Sequence, residues 1–216
     1  MVNQVLSILT IVGGGIMASS MAIAQVNPPE VNAIEQCNLL SGAEALEACD
    51  RALALDPDNP ILWMRRGLLL NDPLGRSDEA LESHERALAL APNYSLALYN
   101  RCVVLIALER YEEAASSCSQ ALQGDGSWGQ AAPSKAWMNR GLALRRLGRY
   151  NEALEAYNRA IELEPGYVLA WNNRGVVLLD IGRYREAESA FQQALELDPD
   201  NELVRRNLSI VQQQQR

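Results

Sequence analysis

The stretches that decide the fold are Ala136-Trp137-Met138-Asn139-Arg140-Gly141 and Ala170-Trp171-Asn172-Asn173-Arg174-Gly175. They stand 34 residues apart (136 to 170), and the same offset relates Tyr150 to Tyr184, Ala153 to Ala187, Tyr157 to Phe191, Ala160 to Ala194 and Pro165 to Pro199. Agreement at so many positions of one period defines a repeat, and a repeat of this length is one supersecondary unit that buries its apolar face against the next.

Each repeating position has a physical task. Gly141 and Gly175 let the first helix of a unit, helix A, approach the second, helix B, while Ala153 and Ala187 supply a flat surface opposite, where bulk would wedge the pair apart. Pro165 and Pro199 stop helix B, because proline lacks a donor and clashes with the preceding turn. The chain as a whole is rich in Ala, Leu, Glu and Arg and holds one Phe, a composition that favours helix over sheet.

Carried outward, the register gives a unit at 168–201 and one at 134–167. A third at 95–128 has Cys102 in place of the Gly, then Tyr111, Ala114 and Ala121, with Gly126 where Pro is expected. A fourth at 60–94 is marked by Trp63, Gly67, Ala80, Ala87 and Pro92, with one extra residue around Asp72-Pro73-Leu74-Gly75. Residues 25–59 form a degenerate first unit, in which Ala45, Ala52 and Pro57 mark helix B but helix A lacks the Trp and the Gly. Residues 129–133 are an inserted loop, with Trp128 before it expected to fold back on the repeats. Residues 202–216 restart helix A and end in a polar Gln212–Gln215 tail, as a solvating cap does.

These positions resemble the signature of the tetratricopeptide-repeat (TPR) family. The resemblance implies an all-α fold, a right-handed α-solenoid of about five helical hairpins plus a C-terminal capping helix, whose concave face is lined by helices A. It implies a binding scaffold for a protein or peptide partner, while leaving the partner unnamed, since such folds serve many.

Residues 1–24 contain no charged side chain, and the apolar stretch Val5–Ile23 ends in Ala22-Ile23-Ala24, an A-x-A cleavage pattern. The expectation is a signal peptide, a mature chain from Gln25, and export to the periplasm or to an organellar lumen of the thylakoid type. The alternative is an uncleaved membrane anchor, because the n-region has no Lys or Arg and the stretch approaches the roughly 20 residues that span a bilayer.

The net charge is −8 and Lys135 is the only lysine, which argues against a nucleic-acid partner. The residues assemble no catalytic constellation. The one histidine, His84, falls where Tyr157 and Phe191 fall and reads as a packing residue of helix B. No His, Cys or carboxylate spacing suggests a metal site, no Gly-rich segment carries a phosphate-loop Lys, and no cofactor or small-molecule substrate is expected. In an oxidising compartment, Cys102 with Cys118 and Cys37 with Cys49 would form two staples within hairpins. Four small buried hydrophobes are the alternative, and the Cys37–Cys49 register looks long for regular helices.

In the family the resemblance points to, positions two, five, six, nine, twelve and thirteen of helix A face the guest. Position six reads Arg65, Asn100, Asn139, Asn173 and, in the cap, Asn207; position five reads Met64, Tyr99, Met138 and Asn172. The asparagine row is similar to the ladder of O-linked N-acetylglucosamine transferase solenoids, whose amides bind the backbone of an extended peptide. An amide offers both donor and acceptor to a peptide unit. A carboxylate clamp of the co-chaperone type is disfavoured, since Lys135 matches but Leu96 and Leu169 do not. Position seven reads Arg66, Arg101, Arg140 and Arg174, expected to pair with acidic groups of adjacent helices. The rival to a groove binder is a structural subunit held through its end repeats or convex face.

Overall fold

A computed structural model of the chain describes residues 28–71 and 75–215. The expected signal segment, its cleavage point and the Asp72-Pro73-Leu74 turn lie outside those residues. Ten helices form five hairpins: α1 (Pro28–Leu39) with α2 (Gly42–Leu55), α3 (Pro60–Asn71) with α4 (Ser77–Leu90), α5 (Ser95–Ala107) with α6 (Tyr111–Gln123), α7 (Pro133–Arg146) with α8 (Tyr150–Leu163), and α9 (Val168–Asp180) with α10 (Tyr184–Leu197). An eleventh, α11 (Glu202–Gln214), closes the stack. Each helix packs on the one before and the one after it in sequence, and the result is the right-handed α-solenoid that the repeat implied.

The alanines explain the close hairpins. Ala45, Ala52, Ala80, Ala87, Ala114, Ala121, Ala153, Ala160, Ala187 and Ala194 have no exposed surface, so each helix B presents a smooth face with no side-chain entropy to lose on packing. Against that face the small residue of helix A receives a ring from helix B. A Cβ added at Gly141 would lie 2.6 Å from Tyr157 Cε1, one at Gly175 2.6 Å from Phe191 Cε1, and one at Gly67 2.5 Å from His84 Cε1. In the third hairpin Cys102 and Cys118 hold these same two positions, and a disulfide joins them with Cα atoms 5.3 Å apart. The covalent bond stands where the other repeats use a ring against a glycine.

The first hairpin is stapled as well. Cys37 and Cys49 are bonded with Cα atoms 4.5 Å apart. The register that looked long in the sequence closes because only Leu40 and Ser41 separate α1 from α2, and Gly42 enters α2 with φ +65°. Among the described residues no cysteine is free.

Three of the turns from helix A to helix B share one backbone device. Arg149 N–H donates to Leu144 at 2.9 Å and Arg183 N–H to Leu178 at 2.8 Å, the six-to-one bond of a Schellman motif, with Gly148 at φ +73° and Gly182 at φ +76°. The third hairpin makes the same bond, Arg110 N–H to Leu105 at 2.9 Å, but its left-handed residue is Glu109 at φ 58°. The arginine just before helix B grips the glutamate three residues on: Arg76 with Glu79, Arg110 with Glu113, Arg149 with Glu152, Arg183 with Glu186. These pairs are solvent-exposed and fix geometry more than they stabilise.

Position four and position seven of helix A tie neighbouring units together. Trp63 Nε1 donates to the Pro57 carbonyl at 2.7 Å and Trp171 Nε1 to that of Pro165 at 3.0 Å, so each ring caps the turn that ends the preceding unit. In α11, Arg205 takes the same place and donates to the Pro199 carbonyl at 2.6 Å. The position-seven arginines lie over those tryptophans, with guanidinium carbons 6.0, 5.3 and 5.8 Å from the rings of Trp63, Trp137 and Trp171. Arg66 reaches Asp50 at 2.7 Å, Arg101 reaches Glu85 at 3.5 Å, and Arg174 donates to the Asn158 side-chain oxygen at 2.9 Å. Each partner belongs to helix B of the preceding unit, and the acidic pairing expected for this row is met at Arg66 and Arg101.

Candidate concave binding face

The odd-numbered helices touch one another along the stack, α1 on α3, α3 on α5, α5 on α7, α7 on α9 and α9 on α11, whereas the even-numbered helices do not. Helices that converge lie on the inside of a curve. The inner face is therefore built from α3, α5, α7, α9 and α11, and its lining follows from helical periodicity.

At position two of these helices stand Ile61, Leu96, Lys135, Leu169 and Leu203; at position nine, one to two turns on, stand Leu68, Val103, Leu142, Val176 and Ile210. Ile61 is 55%, Leu169 44% and Leu203 57% exposed, and Leu68 and Ile210 are 36% and 37% exposed. An isolated exposed leucine needs no explanation, but aliphatic side chains aligned in two rows on one face do. Among the described residues, the other large exposed aliphatics are Leu39 and the row Leu55, Leu90, Leu163 and Leu197, which ends α2, α4, α8 and α10.

Between the two apolar rows lie the amides, and the structure gives them a sideways orientation. Asn100 Nδ2 points to Met64 Sδ at 3.6 Å, Asn173 Nδ2 to Met138 Sδ at 3.7 Å, and Asn207 Nδ2 donates to Asn172 Oδ1 at 2.9 Å. Burial raises the pKa of the Tyr99 hydroxyl, and the neighbouring Asn139 amide offsets part of that rise. In α5, α7, α9 and α11 position six thus meets position five of the helix A before it, and the position-five residues singled out in the sequence are the partners of the asparagine row. Asn100 and Asn139 are each 9% exposed. Arg65, first in the row, donates to the carbonyls of Cys37 and Leu40, both at 3.2 Å, and so caps the C-terminal end of α1.

The segment between α6 and the inserted loop, residues 124–128, reaches this face. Asp125 Oδ1 accepts from the backbone N–H of Ser95 at 3.1 Å and of Ser127 at 2.9 Å, and from the Ser127 hydroxyl at 2.5 Å. Those bonds, the Ser127 hydroxyl first, hold the Asp125 carboxyl down at about 2. Leu96 N–H donates to the Ser127 carbonyl at 3.0 Å. The start of α5 is capped by the loop, and the loop is fixed to it in turn. Trp128 then meets Tyr99 edge-on, ring centroids 6.4 Å apart, as a fixed wall beside the groove. The fold-back of Trp128 is the ordinary reading made from the sequence; the clasp formed by Asp125 was not foreseen, although Asp-x-Ser after a helix is a recognisable turn signal.

Apart from the groove, His84 is fully buried with neither ring nitrogen hydrogen-bonded. Burial, and then the charge of Arg101, lower its pKa to about 4. Among the described residues no cluster of His, Cys, Asp and Glu could hold a metal ion, and no helix is long and apolar enough to cross a membrane.

A family model described as tetratricopeptide repeat matches residues 74–136 and 138–202. No curated protein matches the chain. Among solved structures it is similar to MamA 41-end from Desulfovibrio magneticus RS-1, 20% identical over 82% of this chain and 98% of that one, with a TM-score of 0.72. It is similar also to YrrB, described as a TPR protein with an unusual peptide-binding site, 22% identical over 82% of this chain and 85% of that one, TM-score 0.66. The first TPR of Spaghetti (RPAP3), bound to the HSP90 peptide SRMEEVD, is 24% identical over 56% of this chain and 92% of that one, TM-score 0.51. At these identities the likeness is one of fold.

Proposed function

The chain belongs to the tetratricopeptide-repeat family, and on that premise we propose that it is a non-catalytic scaffold whose concave face holds an extended segment of a partner protein. The observation that carries this reading is the inner face itself: two mainly aliphatic rows, exposed at Ile61, Leu68, Leu169, Leu203 and Ile210 and half-buried elsewhere, flank a row of amides on the side where helices A converge. Two structural neighbours, one described by its peptide-binding site and one holding a bound peptide, support a protein or peptide as the guest. Export is the second part of the proposal. An uncharged N-terminal segment ending in A-x-A and two buried disulfides both suit an oxidising compartment, and assembly of an extracytoplasmic complex is the role that follows.

The test of the groove is the double substitution Asn139→Ala with Asn173→Ala. It removes two amides from the middle of the face together with their links to Tyr99 and Met138. Capture of the native partner should fall at least tenfold while the variant stays folded, losing roughly 1 kcal/mol for each cross-helix link removed, which a thermal melt measures. Full capture by the folded double variant would move the site elsewhere. The second reading, a structural subunit held by its outer surface, draws on the leucine row Leu55, Leu90, Leu163 and Leu197, which lies at the ends of helices B and away from the groove.

A further inference from the structure

We infer that the guest is a continuous apolar run of polypeptide, poor in carboxylates, and that the two aliphatic rows select it. This deepens the groove reading above and rests on it. The chain has 27 acidic residues, yet positions two, five, six and nine of α3, α5, α7, α9 and α11 carry no carboxylate. The cations there are Arg65, Lys135 and Arg206. Arg65 is engaged by two backbone carbonyls, and Lys135 and Arg206 stand on helices separated by α9. At positions twelve and thirteen Arg145 pairs with Asp180 at 2.8 Å. An acidic tail needs several converging donors, and this face offers Lys135, Arg146 and Arg206, dispersed amid aliphatic surface where an ionised group would lose hydration without a partner.

The orientation of the amides strengthens the case. With the Nδ2 groups of Asn100, Asn173 and Asn207 donating sideways into the neighbouring helix, the amides keep only their oxygens for the guest backbone, and selection among guests falls to the side chains that the aliphatic rows meet. Positions two and nine are seven residues apart on a helix, about 10.5 Å along its axis. A guest laid over positions five and six, across the helices, directs alternate side chains to opposite sides. One set then meets Ile61, Leu96, Leu169 and Leu203, and the other meets Leu68, Val103, Leu142, Val176 and Ile210. Apart from Lys135 in the middle of the position-two row both sets are apolar, so the guest pattern is a mainly aliphatic or aromatic run, without the alternation of a half-buried strand.

The experiment is selection of a displayed library of random 12-residue peptides on the full chain, and on a Leu169→Glu, Leu203→Glu variant. Both leucines already stand about half in water, so the variant should keep the wild-type melting temperature, and circular dichroism checks this. The wild type should enrich peptides with runs of four or more apolar residues and few Asp or Glu. Synthetic copies of those peptides should bind the variant roughly tenfold more weakly or worse, the loss expected when two aliphatic contacts are replaced by charges. Enrichment of acidic peptides whose binding is lost on Lys135→Glu would overturn the inference while leaving the groove reading intact. Apolar peptides that bind wild type and variant equally, or no enrichment at all, would overturn the groove reading and the inference with it.

Discussion

Replacing His84 by Phe should raise stability at neutral pH and abolish one specific acid sensitivity. The ring lies in the slot beside Gly67, where Tyr157 and Phe191 lie beside Gly141 and Gly175, so Phe fits a place the fold already gives to a phenyl ring. Burial without partners lowers the folded pKa of His84 from 6.5 to about 4. A base whose folded pKa lies below its unfolded value leaves stability complete above pH 6.5. That stability is lost as the pH falls toward 4, because the unfolded chain binds the proton first. The span of about 2.5 pH units corresponds to ~3 kcal/mol at 1.36 kcal/mol per unit. At pH 7 the variant should gain about 1 kcal/mol or more from removing two unsatisfied buried nitrogens. Urea denaturation from pH 8 to 4, followed by circular dichroism with the disulfides intact, gives the difference between the two proteins, in which the carboxylates common to both cancel. That difference should widen by ~3 kcal/mol between pH 7 and 4. A difference that stays flat would mean His84 is hydrated or partnered, and would refute the packing account.

Gly175→Ala places a Cβ 2.6 Å from Phe191 Cε1 and should cost about 1–3 kcal/mol by overpacking, read as a lower urea midpoint. Glu109→Gly relieves the left-handed backbone at φ 58° and should stabilise by roughly 1 kcal/mol, measured in the same assay; a loss would show that the Glu109 side chain is used. Mature protein unfolded without reductant should contain no titratable thiols, and reduction should cost roughly 3 kcal/mol per bridge. Cys102→Gly with Cys118→Tyr should restore most of that loss at the third hairpin by rebuilding the ring-on-glycine contact. N-terminal sequencing from the native host should begin at Gln25, and intact Met1 in the cytosol would reject the export proposal.

The repeat was legible because Trp, Gly, Ala and Pro each perform a steric task that few other residues can. A cysteine at position eight was readable for the same reason, since Cys102 is small. Other features depend on geometry that spacing does not encode. Glu109 gives no sign of a positive φ, because the Schellman bond is demanded by the turn and not by the residue. Helical periodicity places Asn100, Asn139 and Asn173 on the inner face, but the side-chain rotation that turns their amides toward the preceding helix depends on the neighbour's position-five atom. The spacing of Cys37 and Cys49 reads as long on regular helices, and the 4.5 Å approach of their Cα atoms depends on a turn of only Leu40 and Ser41, a length that the spacing does not encode. Asp125 escaped notice since its partners, Ser95 and Ser127, lie on opposite sides of α6 in the sequence.

Position-resolved photo-crosslinking in the native host tests the central claim most directly. A benzophenone amino acid is placed at Leu169, 44% exposed on the concave face, or at Leu163, 57% exposed at the end of α8 in the outer leucine row. The groove account predicts that one partner protein is joined covalently from position 169 and not from 163, and that the attachment maps to an apolar run of its sequence. Crosslinking from 163 with none from 169 would contradict the account and place the partner on the outer surface.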